Sequence, residues 1–520
     1  MSSTRRSSTK VRKAVRPPFS SAKSGFRSDN RDTYSRLESL AKEIALIGST
    51  ASILGWDQET YMPSGAVDHR AAQLSYLSAK AHALFTGKAF RTLLDRATAE
   101  DLSQREQSNI AEWRRDLDRA VRIPTTLVAE ESEVTSRAKH VWSEAKNRSD
   151  FAMFSSHLEA IIRIARKKAA LWGFADEPYD ALLTGYERGA STKNIATLFD
   201  GLKPKVSRIA RHAVERGSAI PRDMLRGRYP VEKQQRLNQE VAESIGFDFQ
   251  SGRIDTTAHP FCTTLGPADI RLTTRYDLSD FTSSLFGVLH EAGHGLYEQG
   301  LPASEFGLPS GSAVSLGIHE SQSRLWENHV GRAIPFWERW FPRARELFPN
   351  LRKFPLSDFI QFLHRADFSF IRVESDEATY DLHIFLRFDL ERRLLAGTLD
   401  THQLPDAWNT AFEELFGKVP PNDAQGCLQD IHWSMGGFGY FPTYTLGNLN
   451  AAQLFQAADS RKALRAATRR AEYLPLLEWL RNNVHSIGAS LSPTEIITQA
   501  TGRPTNPAPY LSHLRKRFAH

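Results

Sequence analysis

The stretch HEAGH sets His290 and His294 four residues apart, with Glu291 beside the first. On an α-helix that spacing projects two imidazoles from one side, one turn apart, within reach of a single ion. Glu291 then sits about 100° round the helix from His290. There it can take a proton from water without ligating the ion itself. This is the pattern of zinc hydrolases in which two histidines ligate and the glutamate is general base. The same letters also arise by accident on buried helices, so the surroundings have to be read.

A catalytic zinc of this kind needs a third protein ligand and an open position. Glu298 lies four residues beyond His294. Helix rise puts it about 12 Å along the axis from His290, against zinc bonds of about 2 Å. The third ligand therefore comes from another element. The next helical segment, AVSLGIHESQSRLWENHV, offers His319, Glu320 and Glu327. A metzincin would carry a histidine six residues after His294; the residue there is Gly300, which excludes that class.

The helix that must hold the motif reads SDFTSSLFGVLHEAGHGLYEQG. Ser279 or Asp280 is its N-cap and Gly300 its stop. Phe281, Leu285, Val288, Leu289, Ala292 and Leu296 supply an apolar face. Gly293 and Gly295 are poor helix formers, which predicts that another backbone or a substrate passes close by. Upstream, residues 253–276 are rich in Thr and β-branched residues with Pro and Gly punctuation. They read as short strands and turns. Elsewhere apolar residues step by three and four: Leu37, Leu40, Ile44, Ile47, Ala51 and Leu54, then Ile110, Trp113 and Leu117, then Leu158, Ile161, Ile162 and Ala165. These are helical stripes. With no fixed-period repeat and no later linker, the expectation is a mainly α chain: one large helical domain over 31–520 behind a tail over 1–30.

The 520 residues are 41% hydrophobic and 24% charged, ordinary for a soluble globular chain. No run approaches the roughly eighteen apolar residues of a membrane span, so no membrane partner is expected. The first residues have charges but no apolar core, which speaks against a secretory signal. The net charge is +7, yet residues 1–28 hold eight Lys and Arg and no acid. The rest is nearly neutral, so no nucleic-acid partner is expected for the body, and the tail reads as disordered. Cys262 and Cys427 have no CxxC neighbour, which fits a reducing cytoplasm.

HEAGH followed by HESQS (His319 to Ser323) resembles the M32 family of metallocarboxypeptidases. Further landmarks stand in the family's order: WDQETYMP (Trp56 to Pro63), HPF (His259 to Phe261), DIRLT (Asp269 to Thr273), IRVESD (Ile371 to Asp376), GCLQDIHW (Gly426 to Trp433) and FGYFPTY (Phe438 to Tyr444). The likeness spans roughly residues 35 to 450. One departure is Ser375, where the family has Ala. The resemblance implies a mostly helical fold with a deep groove, zinc at its floor and a small β-sheet beside it. It implies Glu320 as third ligand, one ion per subunit with cobalt as a substitute, a homodimer, and release of single residues from peptide C-termini.

A carboxypeptidase must also read a free α-carboxylate, and an Arg fork suits that best. Arg271, Arg275 and Arg372 are the candidates; the family pattern favours Arg372, with Tyr440 or Tyr444 beside it and His259 bonding the substrate. The bland readings are that Arg372 pairs with Glu374 or Asp376 along a helix face, and that both tyrosines are core aromatics. His432 and Trp433 read as buried structure. Two rival functions share the motif: an endo- or aminopeptidase on the same zinc core, and a non-catalytic scaffold.

Overall fold

The structure, a computed structural model, describes residues 32–257 and 259–518. The basic tail lies outside them. Among the described residues are 20 α-helices and one three-stranded sheet. No helix among them is long and apolar enough to cross a membrane.

The expected stripes bury themselves unevenly. Ile110, Trp113 and Leu117 are buried, as are Leu158, Ile161, Ile162 and Ala165. Helix α1 (Asp32–Thr60) differs. Leu37 is buried, but Leu40, Ile44, Ile47, Ala51 and Leu54 are only partly covered. Leu40 and Ile44 border the small core of Phe90, Leu94 and Trp113, while helix α2 (Val67–Phe85), which also packs on α1, has no buried residue of its own. The stripe is real, and it faces a partner too thin to seal it.

The Thr-rich stretch forms β1 (Gly252–Thr256), β2 (Cys262–Gly266) and β3 (Asp269–Thr274). β3 is central, parallel to β1 and antiparallel to β2. Ile270 and Leu272 point into the core that also takes the apolar face of the motif helix, Phe281–Gly300. That face is buried as expected, from Phe281 through Leu296. Of the two N-cap candidates the structure uses Asp280, whose carboxylate accepts from the Thr282 amide at 2.8 Å.

The two glycines of the motif helix are packing glycines. A Cβ on Gly293 would lie 2.5 Å from Ser323 Cα and 2.6 Å from the Gln322 carbonyl oxygen. A Cβ on Gly295 would meet the Phe247 ring at 2.7 Å. Gly293 thus admits the backbone of the ligand helix, Leu316–Arg324. On the opposite flank Gly447, on helix Pro442–Asp459, makes room for Glu320: a Cβ there would lie 2.5 Å from Glu320 Cγ. The ligand helix runs on into a π-helical turn, Leu325–Val330. Such widened turns are rare and tend to mark functional sites.

Candidate metal centre

His290 and His294 sit one turn apart on the motif helix, their rings 4.9 Å apart and nearly perpendicular. Glu320 comes from the ligand helix. Its Oε2 lies 3.7 Å from His290 Nε2 and 3.5 Å from His294 Nε2. Donors in a tetrahedral zinc site stand about 3.3 Å apart, so these gaps fit one ion. The trio is not sealed: the side chains of His290 and His294 keep 21% and 14% of their exposure. A fourth position is therefore reachable.

Each ligand is held from behind. His290 Nδ1 meets Glu327 Oε2 at 2.9 Å, and His294 Nδ1 meets His319 twice, its Nδ1 at 2.6 Å and its carbonyl oxygen at 3.1 Å. Those contacts leave each Nε2 to face inward, the usual way a protein fixes a ligating imidazole. Glu320 Oε1 accepts from Arg324 Nε at 2.6 Å, and Oε2 from Ser323 Oγ at 3.1 Å. Arg324 also reaches Glu327 at 3.3 Å. His319 bonds Glu298 at 2.8 Å, and Glu298 accepts from Thr264 of β2 at 2.8 Å. Of the three candidate ligands on the second segment, only Glu320 joins the trio. Glu327 and His319 stand behind its histidines, and Glu298 lies outside the trio.

The electrostatics follow. Burial works against the Glu320 carboxylate, but Arg324 and both histidines hold its pKa well below the usual range. Glu327, buried but beside Arg324 and His290, is held down to about 2. Burial lowers His290, yet Glu320 and Glu327 leave it raised. Burial, with His319 nearby, takes His294 down to about 3. Burial pushes the Glu291 carboxyl up to about 7, against the pull of His290 and His319 beside it. That is the range a general base needs near neutral pH.

Arg372 lies in a 3-10 turn rather than on an exposed helix face, and is buried at 4% exposure. Its partner is neither Glu374 nor Asp376. Asp430, of the GCLQDIHW stretch, accepts from Nε at 3.1 Å and from Nη2 at 2.8 Å. Arg387 grips the same carboxylate. Nη1 donates to the Tyr380 hydroxyl at 2.6 Å. Five donors minus these three leaves capacity on Nη1 and Nη2. Tyr380 also lies under Arg324, at 4.4 Å. A short relay thus joins Arg372 to Glu320 through Tyr380 and Arg324. The Arg372 guanidinium sits 4.8 Å from the ring of Tyr444, which lies 5.3 Å from Tyr440. Both tyrosines are half-buried.

The other candidates are placed elsewhere. Arg271 is spent on Asp269, with two bonds of 2.8 Å, and on the Trp56 ring. Arg275 is exposed. His259 is exposed in the link between β1 and β2, and no contact joins it to the trio. Trp433 is buried and donates to Glu391, whereas His432 is only half-buried, its Nε2 3.3 Å from the Tyr444 hydroxyl. Asp430, Tyr380 and Arg324 were missed. Asp430 stood inside a quoted motif, and Arg324 four residues past Glu320, a spacing that pairs side chains on a helix. Ser375 uses its hydroxyl, contacting His383 Nε2 at 2.8 Å and donating to the Ile371 carbonyl at 3.1 Å.

Comparison with known proteins follows the same lines. The family pattern described as carboxypeptidase Taq (M32) metallopeptidase matches residues 36–518. Thermostable carboxypeptidase 1 of Thermus thermophilus is 40% identical over 500 residues, covering 94% of this chain and 98% of that protein. Carboxypeptidase 1 of Bacillus subtilis is 34% identical, covering 92% and 97%. The crystal structure of an M32 carboxypeptidase from Deinococcus radiodurans R1 superposes with a TM-score of 0.91 at 37% identity, covering 94% of this chain and 99% of that one.

Proposed function

The chain belongs to the carboxypeptidase Taq (M32) metallopeptidase family and is a metallocarboxypeptidase, a peptide hydrolase; we propose that its metal is zinc, held by His290, His294 and Glu320, with Glu291 as general base and Arg372 as anchor for the substrate's free carboxylate. Membership removes the scaffold, endopeptidase and aminopeptidase readings and implies peptide substrates and a divalent metal.

The observation that carries the ligand assignment is the pair of 3.7 and 3.5 Å gaps to Glu320 Oε2, with each Nδ1 tied back. Two imidazoles, one carboxylate and an open side are a zinc-type catalytic donor set, which cobalt also accepts. When bound, such an ion polarises a scissile carbonyl and acidifies water. Glu291 takes a proton from the attacking water as its oxygen bonds the carbonyl carbon. As the C–N bond breaks, the same carboxyl returns that proton to the leaving amine. Arg372 fixes the last residue of the peptide, so that the last amide is the one presented. Its end is not idle in the free protein: the bonds to Asp430 and Tyr380 hold the guanidinium in place, and the remaining donors take the carboxylate. Tyr440 and Tyr444 line that subsite, and His259 bonds substrate from the β1–β2 link.

The reading extends to a homodimer, on the family resemblance, and to the cytoplasm, supported by two free cysteines. The deciding experiment is cleavage of one peptide with a free and with an amidated C-terminus. Wild type should cut the first and barely touch the second. Equal rates would remove Arg372 and its carboxylate subsite from the mechanism.

A further inference from the structure

Outside the centre just described, three more metal-ligating side chains converge. His329 lies in the π-helical turn, Glu377 follows the IRVESD stretch, and His513 lies on the C-terminal helix, Ala508–Phe518. One donor atom from each lies within 4.8 Å of the others, the same limit that groups His290, His294 and Glu320. The His329 and His513 rings are 4.1 Å apart. His513 Nε2 lies 2.6 Å from Glu377 Oε1, while Glu377 Oε2 is taken by Arg517. Arg324 holds the far oxygen of Glu320 in the same way.

Two observations point to a ligand here. His329 is 5% exposed, yet among the described residues neither ring nitrogen has a hydrogen-bond partner; its contacts are rings, His513 and Phe455. Those nitrogens are not sealed off within the protein, so they stay open to an incoming ligand. Both histidines also line a cavity of about 240 Å³, walled by Phe455 and Tyr473, which leaves an approach on one side.

We propose that His329, Glu377 and His513 form a second site for a divalent ion of the zinc class, one that staples the C-terminal helix to the turn following Glu327 and to the link following Arg372. Two imidazoles and one carboxylate suit zinc, and cobalt as its spectroscopic stand-in. Donors about 3.3 Å apart are needed, so His513 and Glu377 separate by less than about 1 Å on binding. The site stands apart from the peptidase centre and does not depend on the roles given to Glu291 or Arg372.

The test counts ions. The full-length chain is stripped with chelator, equilibrated with Zn²⁺, freed of excess, and its metal content measured. Wild type should hold two ions per chain, one more than the family resemblance implies, with His290→Gln holding one, His329→Gln or His513→Gln one, and His290→Gln/His329→Gln none. With Co²⁺ the single ion in His290→Gln should give a visible absorption band that His513→Gln removes. Zn²⁺ should also raise the melting temperature of His290→Gln. Should His329→Gln or His513→Gln fail to fold, His290→Gln alone decides. One ion in wild type and none in His290→Gln would overturn the proposal and leave a hydrogen-bonded cluster only. So would an ion that survives in the double variant.

Discussion

Two His–His–Glu clusters sit in this molecule, and they are built differently. At His290, His294 and Glu320 the donors stand 3.5 to 3.7 Å apart. At His329, Glu377 and His513 one pair has closed to 2.6 Å. The residue types are the same, and so is the arginine on the glutamate's far oxygen. The difference lies behind the rings. Glu327 and the His319 carbonyl hold the two Nδ1 atoms of the first cluster, so its Nε2 atoms are aimed at a shared point. Among the described residues nothing comparable holds His329, and there His513 leans on Glu377 instead. Donor identity makes a site possible; the partners behind the donors make it preformed.

The sharpest way to separate the two clusters is through the chemistry. Glu291→Gln keeps all three ligands of the first cluster and removes only the base. Turnover should fall about 10²- to 10⁴-fold, with metal content unchanged. His329→Gln should leave turnover within about threefold of wild type. A collapse of activity in His329→Gln with its fold intact would mean that the two clusters are not separate.

Arg372 gives the next largest effect. A charge-assisted bond to carboxylate is worth about 1.5–3 kcal/mol, which is roughly tenfold to a hundredfold in kcat/KM. Arg372→Ala should lose that much on free peptides and little more on amidated ones. Arg372→Lys should recover only part, because a point charge lacks the fork. Equal losses on both peptides would make Arg372 structural, the partner of Asp430 and no more.

Glu327→Gln addresses the backing directly. It keeps a hydrogen bond to His290 but removes the charge. Metal affinity at the first cluster should fall about tenfold to a hundredfold, measured by competition with a chelator. An unchanged affinity would break the account of why this cluster is open and the other closed. The smallest effect belongs to packing. Gly293→Ala forces a methyl against Ser323 and Gln322, at a cost of about 1–3 kcal/mol. A lower melting temperature, with the metal still bound, is the expected readout.

Of the first cluster, the two histidines were legible, with the candidate base beside them, because they lie on one helical turn; Glu320 stood level with His319 and Glu327 until the family resemblance singled it out. The apolar face of that helix was legible for the same local reason, while its cap was narrowed only to Ser279 or Asp280 and its glycines only to a close backbone or substrate. What was not legible is long-range. Asp430 meets Arg372 only after folding, so sequence spacing suggested Glu374 or Asp376, its near neighbours. His319 and Glu327 could be named as candidates, but their side of the histidine rings is set by helix docking. The second cluster draws its three donors from three elements far apart in the chain, and no periodicity links them. The α1 stripe announced a helix but not the thinness of its cover, since that depends on what α2 itself packs against.

The ligand helix is pinched between Gly293 on one flank and Gly447 on the other, with backbone or Glu320 carbons where a methyl would need to be. A helix with no clearance on either side cannot translate or roll to suit its cargo. Ion radius then becomes a selection rule: a larger ion needs longer bonds, and only side-chain torsions are free to supply them. Affinity across a series from Zn²⁺ to Cd²⁺ should drop more steeply here than in a cage built on loops, and direct titration of the stripped chain reads that slope.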